Sequence, residues 1–167
     1  TMFLNTLGSE WHINWAIIMH IALYKPDIPQ NTAAIIRLGA CLNLNLHIIE
    51  PCGFNLNDPR FKRVVLDYMS LSKIYRYSDY NIFLKKNKNS RIVLMTTKAK
   101  KLYHKFKFKK NDMLLFGRES AGVPDNFHKN IKNKVKIPMN RRTRSLNVAM
   151  SVAIITSEAL RQNNLLG

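Results

Sequence analysis

The sequence predicts an α/β domain with a mostly parallel sheet flanked by helices. Two observations carry that prediction. From His20 onward, short apolar runs alternate with longer segments of helical period. The chain also has 167 residues, 46% of them hydrophobic, which suffices for one domain with a core covered on both faces of a sheet.

The elements follow in order. His20–Tyr24 reads as a strand and Asn31–Asn43 as a helix, with Asn31 or Thr32 available as its N-cap. Leu46–Glu50 is a second strand, closed by Pro51 and Gly53. Arg60–Met69 and Ser78–Lys86 read as helices, Arg91–Thr96 as a third strand and Asp112–Phe116 as a fourth. Pro124–Asn130 reads as a helix with proline in its first turn. Val135–Pro138 is a fifth strand and Ser145–Gln162 the longest helix. That last helix carries few polar residues between Leu146 and Ile155, so it is buried on more than one side. The second side is either a partner subunit's surface or the centre of a monomeric core. Residues 1–18 show no clear period and read as an N-terminal extension or a leftover of expression, with residues 19–167 forming a single domain.

Composition narrows the partners. The net charge is +17, from 27 Lys and Arg against 10 Asp and Glu, which favours a polyanionic partner. The alternative is solvated lysine without a specific partner. Cys41 and Cys52 form no CxxC motif and suit free thiols in a reducing compartment. The apolar stretches Trp15–Tyr24 and Val148–Ile155 fall short of the roughly 20 residues of a membrane span. No basic residue precedes Lys25, so a signal peptide is not expected, and the reading is cytoplasmic without a membrane partner.

Three segments carry candidate chemistry. Leu115–Pro124 follows a strand and precedes a helix, the position where open α/β sheets bind ligands. In it Gly117 allows close approach of a ligand to the backbone, Gly122 supplies a positive φ, and Pro124 starts the helix. The pattern is neither GxGxxG nor a P-loop, so a dinucleotide or Walker site is not supported. In Ile137–Asn147 a strand enters a basic loop that enters the apolar helix; Ser145 is the expected N-cap, and Asn147 needs a polar partner. Arg141, Arg142 and Arg144 suit phosphate contacts or a solvated loop. In Pro26–Leu38 two prolines fix a loop, and Ile35, Leu38 and Leu42 share a helix face. Arg37 lies about 200° round from Ile35, at roughly 100° per residue, facing either a substrate or solvent. His12, His20, His47, His104 and His128 are scattered and form no metal-ligand cluster; His20 and His47 read as core or edge residues of strands.

Together, Asn31-Thr32…Arg37-Leu38, Phe116-Gly117-x-Glu119-x-x-Gly122-x-Pro124 and Ile137-Pro138-Met139…Ser145-Leu146-Asn147 resemble the three motifs of the SPOUT (trefoil-knot) RNA 2′-O-methyltransferases. Leu23–Pro29, Leu46–Pro51 and Leu66–Tyr68 resemble the short subfamily that acts on the wobble cytidine or uridine of leucine tRNAs. The resemblance spans residues 19–163. It implies a C-terminal trefoil knot, a homodimer, and S-adenosyl-L-methionine (SAM) as cofactor, with S-adenosyl-L-homocysteine as product and no metal. It places SAM against Met95, Gly117, Glu119, Ile137 and Ser145, mainly through backbone groups. It makes Arg37 the residue that activates the ribose hydroxyl, Asn31 and Glu119 the residues that hold Arg37 and the loop, and Ser145 and Asn147 the residues that order the knot loop and touch the substrate. Arg118, Arg141, Arg142 and Arg144 are assigned to the tRNA. Arginine keeps its proton and is a poor general base, so polarisation of the hydroxyl and phosphate positioning are the expected roles.

The chain departs from the family in carrying Ala33-Ala34 where Gly-Asn is common, and Ala33 is expected to narrow the approach to the helix start. Two other readings stay open: a 2′-O-methyltransferase acting on rRNA or another tRNA site, and a non-catalytic knot protein that binds SAM and RNA.

Overall fold

The computed structural model describes residues 19–166. The former N-terminal segment, residues 1–18, lies outside the described residues. The elements in chain order are β1 (His20–Tyr24), α1 (Pro29–Cys41), β2 (Asn45–Ile49), α2 (Pro59–Met69), β3 (Lys73–Tyr77), α3 (Tyr80–Lys86), β4 (Ile92–Met95), β5 (Met113–Phe116), α4 (Asp125–Asn130), β6 (Asn133–Val135) and α5 (Val148–Gln162). A short 3₁₀ turn, Tyr103–Lys105, lies between β4 and β5.

All six strands pair in parallel, in the order β3-β2-β1-β5-β4-β6. The expected parallel α/β architecture is therefore the observed one. β2 and β5 are buried along their whole lengths, as strands covered on both faces must be. One core joins the sheet to Ile35 and Ile36 of α1, Phe61 and Val65 of α2, and Val152, Ile155 and Leu160 of α5. The other joins the opposite face to Phe83 of α3 and Phe127 of α4. The chain winds outward from β1 to β3, then crosses to β4 and returns to insert β5 beside β1. That reversal opens a crevice at the carboxyl ends of the central strands, where such sheets bind ligands.

Several expectations change. β3 was not anticipated: its sequence, Lys-Ile-Tyr-Arg-Tyr, buries only Tyr77 fully, and pairing with β2 makes it a strand. β6 ends at Val135 and not Pro138, because Ile137 turns away toward the crevice. α1 starts at Pro29 with no side-chain cap, and Asn31 and Thr32 are buried inside its first turns instead of capping it. α5 starts at Val148; Ser145 is not its N-cap, since Asn147 Oδ1 accepts the N–H groups of Ala149 and Met150 at 2.9 and 3.2 Å. Residues 145 and 146 stay in the loop and wall the crevice.

One side of α5 is buried as expected, while its other side is open, with Met150 63% exposed and Ala149, Ala153 and Ile154 only half-buried. His47 is a core residue, bonded to His20 at 2.9 Å and to the Tyr77 hydroxyl at 2.7 Å. Cys41 and Cys52 are both free thiols.

Candidate active site

The crevice is a cavity of about 500 Å³. Its floor comes from the ends of β4 and β5, at Met95 and Phe116. One wall is the loop Gly117–Val123, another the loop that runs from Ile137 through Met139 to Leu146, and Ile28 and Asn31 close it from the start of α1. Its size is that of a pocket for a small ligand or cofactor.

The Gly117–Val123 wall is tightly made. Arg118 and Gly122 exchange backbone hydrogen bonds of 3.1 and 2.8 Å, and Gly122 holds φ at +66°, as its sequence position suggested. A Cβ on Gly117 would sit 2.6 Å from the Gly122 carbonyl carbon and 2.7 Å from its Cα. The close approach that requires glycine at 117 is to the loop's own backbone, and Gly117 also lines the cavity.

Three polar side chains link the walls. Asn147 Nδ2 donates to Asn31 Oδ1 at 2.8 Å, and Asn31 Nδ2 donates to Glu119 Oε1 at 3.2 Å. Glu119 Oε2 in turn accepts the backbone N–H of Asp27 at 2.9 Å. The polar partner required by Asn147 is thus Asn31, and the chain joins all three sequence segments at one edge of the cavity.

Asp27 anchors the same wall. Its Oδ2 accepts from Arg118 Nε at 3.2 Å and from the Ser120 hydroxyl. A Cβ on Gly53 would meet the Asp27 Cβ at 2.5 Å, so glycine there leaves Asp27 its place. Its hydrogen bonding with Glu119, against an opposing effect of burial, and then with Ser120 and Arg118, holds the Asp27 carboxyl at about 2. Burial, followed by the Asp27 contact, pushes Glu119 above the ordinary carboxylate value.

Of the residues assigned to the cofactor, Met95, Gly117, Glu119, Ile137 and Ser145 all line this cavity. So do Asn31, Asn147 and Arg118. Arg141, Arg142 and Arg144 stand exposed on the adjoining loop, outside the lining. Arg37 is not brought into this cavity. It is exposed, with its guanidinium carbon 5.0 Å from the centre of the Tyr68 ring. Within one chain Asn31 and Glu119 do not hold Arg37. Six residues of helix separate Asn31 from Arg37, about 9 Å along the axis and about 240° around it, and Asn31 and Glu119 bond to each other instead. Ala33 lies outside this cavity and lines a second hollow with Phe54 and Phe61, beside α2.

The sequence reading passed over Thr96 and His128, which line the cavity and bond to each other at 2.9 Å, and gave Asp27 no role. Thr96 directly follows β4 and Asp27 lies in the loop after β1, at the ligand-binding end of the sheet, while His128 in α4 carried no such signal.

The donor set fits SAM. Ile28, Met95, Val123, Ile137 and Leu146 offer apolar contact, while among the described residues Ile137, Met139, Ser145 and Leu146 make no backbone hydrogen bonds within the protein. Such free backbone groups can recognise an adenine edge or an amino-acid end without a charged side chain.

Comparison with known proteins agrees with the geometry. Residues 18–157 match the model of the SpoU rRNA Methylase family. A tRNA (cytidine(34)-2′-O)-methyltransferase from Ancylobacter novellus is 43% identical over 144 residues, covering 85% of this chain and 91% of that protein. The protein of the same name from Escherichia coli K12 is 37% identical over 147 residues, covering 87% and 94%. A solved structure concerned with 2-OH methylation of C/U34 on tRNA superposes with a TM-score of 0.84 at 34% identity, covering 89% of this chain and 97% of the other. The chain belongs to the SpoU rRNA Methylase family.

Proposed function

We propose that this protein is a SAM-dependent tRNA 2′-O-methyltransferase that acts on the ribose of the wobble cytidine or uridine, with leucine tRNAs as substrates. The observation that carries the reading is the single cavity into which three separated segments place Asn31, Gly117, Glu119, Ile137, Ser145 and Asn147. The relatives' names supply the nucleotide, C34.

SAM supplies a methyl group already activated on a cationic sulfur. The residues of this chain bind it, orient it and exclude water. The backbone of Met95, Gly117, Ile137 and Ser145 is assigned to the cofactor. Asn31, Glu119 and Asn147 hold the cavity's walls at a fixed spacing, so the reacting ribose meets a preformed surface. Arg37 is assigned to polarise the 2′-hydroxyl and position its phosphate, while Arg118, Arg141, Arg142 and Arg144 contact the RNA backbone.

A homodimer completes this reading. Arg37 points away from the cavity of its own chain, and α5 leaves an apolar side open beside Leu146 and Met150. In a dimer built on that side, Arg37 serves the partner's cavity. The trefoil threading of the C-terminal part, a catalytic domain spanning residues 19–167 and a cytoplasmic location belong to the same proposal.

The test is transfer of labelled methyl from SAM to total tRNA of a strain lacking wobble 2′-O-methylation, with the product mapped by digestion and mass spectrometry. The expected product is a 2′-O-methyl group at the wobble nucleotide. Methylation elsewhere overturns the substrate, and no transfer despite measured SAM binding overturns the activity. Arg37→Ala is expected to lower transfer by about 10²-fold or more, as loss of a positioned catalytic group does, with SAM affinity within a few-fold of wild type.

A further inference from the structure

The segment between β4 and β5 is more basic than the cavity requires. It contains no Asp or Glu from Lys98 to the residue before Asp112. It begins at the rim, where Lys98 lines the cavity, and ends at the start of β5, at the amino-terminal end of the strands. Since β5 is four residues long, the segment traverses the sheet's full depth, roughly 13 Å at about 3.3 Å per residue.

The backbone and aromatic residues of this segment do its structural work. Phe106 and Phe108 are buried, with ring centres 4.9 Å apart. The N–H of Phe108 donates to Gln162 Oε1 at 2.9 Å, and Gln162 Nε2 donates to the Phe106 carbonyl at 2.9 Å, tying the segment to the end of α5. The Lys107 carbonyl accepts from Arg91 at 2.9 Å, and the Lys109 N–H donates to Asp112 at 2.7 Å. Asp112 itself is buried and held by Arg91 at 2.6 Å, so it does not neutralise the surface.

The alternation then turns the lysines outward. Lys100, Lys105, Lys107, Lys109 and Lys110 are exposed, and among the described residues none of their ammonium groups has an ion-pair partner. Nearby, Lys98 is paired with Asp125 and Glu158 with Arg161, so the two acidic side chains at the margins are already engaged. A row of uncompensated cations on a fixed backbone, leading away from a nucleotide-sized cavity, matches a phosphodiester chain.

We propose that Lys105, Lys107, Lys109 and Lys110 form a second tRNA contact that holds the body of the tRNA outside the anticodon stem-loop while the target ribose is presented at the mouth of the cofactor cavity. This rests on the proposed tRNA reading and adds where the rest of the substrate lies. Lysines are point charges without base readout, so the contact gives affinity and orientation and leaves nucleotide choice to the cavity.

The test compares wild type with Lys107→Ala/Lys109→Ala/Lys110→Ala, whose side chains make none of the structural bonds above. Affinity for full-length leucine tRNA and for its isolated anticodon stem-loop is measured by fluorescence anisotropy across a salt series. The variant is expected to bind full-length tRNA about tenfold or more weakly, with a salt slope reduced by about 2–3, at roughly 0.7–0.9 per phosphate contact. Stem-loop affinity and SAM affinity stay as in wild type. Wild-type affinity and slope on full-length tRNA overturn the proposal. So does an equal loss on the stem-loop, which would put the lysines at the target nucleotide. Lost binding to phosphatidylserine vesicles with tRNA binding intact overturns it in favour of a membrane. The binding readout does not depend on methyl transfer, so a failure to methylate the wobble nucleotide overturns the functional reading and leaves the salt slope to decide this one.

Discussion

The two loops that wall the cavity hold their shapes by different means. Gly117–Val123 is cross-linked within itself and to its surroundings: Arg118 and Gly122 bond backbone to backbone, Arg118 and Ser120 reach Asp27, and Glu119 joins Asp27 and Asn31. Met139–Asn147 has only a local turn, in which Asn140 accepts from the N–H groups of Arg142 and Thr143, and a tether where Asn147 meets Asn31. Its residues 141–147 are all exposed. The first loop is built before any ligand arrives. The second presents its arginines to solvent and has few bonds of its own. Under the proposed function, one wall of each kind suits a small cofactor and a large RNA, because preorganisation lowers the ordering cost of binding on one side and adaptability serves the other.

Gly117→Ala should show the largest effect, because the added Cβ meets backbone and not a side chain that can swing away. The expected cost is about 1–3 kcal/mol of stability, the range for overpacking, with SAM affinity lowered about tenfold or more. Thermal unfolding and calorimetric SAM titration read the two effects. An unaltered melting temperature would show the first loop to be as adaptable as the second.

Asp27→Asn tests the same loop through charge. The folded Asp27 carboxyl is depressed from 3.8 to about 2. A depressed carboxylate contributes stability that is fully present above its unfolded value and is lost as pH falls through the folded one. Wild type should therefore exceed Asp27→Asn in stability at neutral pH. The gap should narrow between about pH 4 and about pH 2. Denaturant unfolding of both proteins over that range checks this, and a gap independent of pH would remove charge from the account of Asp27.

The sequence was legible where local chemistry decides. Gly122 and Pro124 announced a positive φ and a helix start, and the alternating runs announced the parallel sheet. It was illegible where distant partners decide. Asp27 matters because Arg118 and Ser120, 91 and 93 residues away, converge on it. β3 exists because β2 offers an edge, although its own residues face mostly outward. Asn147 looked like a buried polar residue needing a partner, and Ser145 like a cap; the cap went to Asn147 because residues 145 and 146 continue along the cavity wall. Motif resemblance recovered the cavity-lining residues, since motifs record which loops meet. It did not recover the distance between Arg37 and Asn31, which follows from helix geometry and was available from the sequence spacing alone.

The smallest expected effect on stability comes from the second loop. Arg141→Ala/Arg142→Ala/Arg144→Ala removes exposed side chains that make no hydrogen bond within the described residues, while the backbone turn at Asn140 remains. Stability should stay within about 0.5 kcal/mol of wild type, as for surface substitutions away from special features. The effect belongs to RNA: tRNA binding should weaken, with a reduced salt slope, and SAM affinity should stay within a few-fold. A large drop in melting temperature would mean that the arginines shape their loop in the free protein, and the contrast between the two walls would fail. Unchanged stability with weakened tRNA binding would place the loop's ordering in the complex, where its charges meet phosphate.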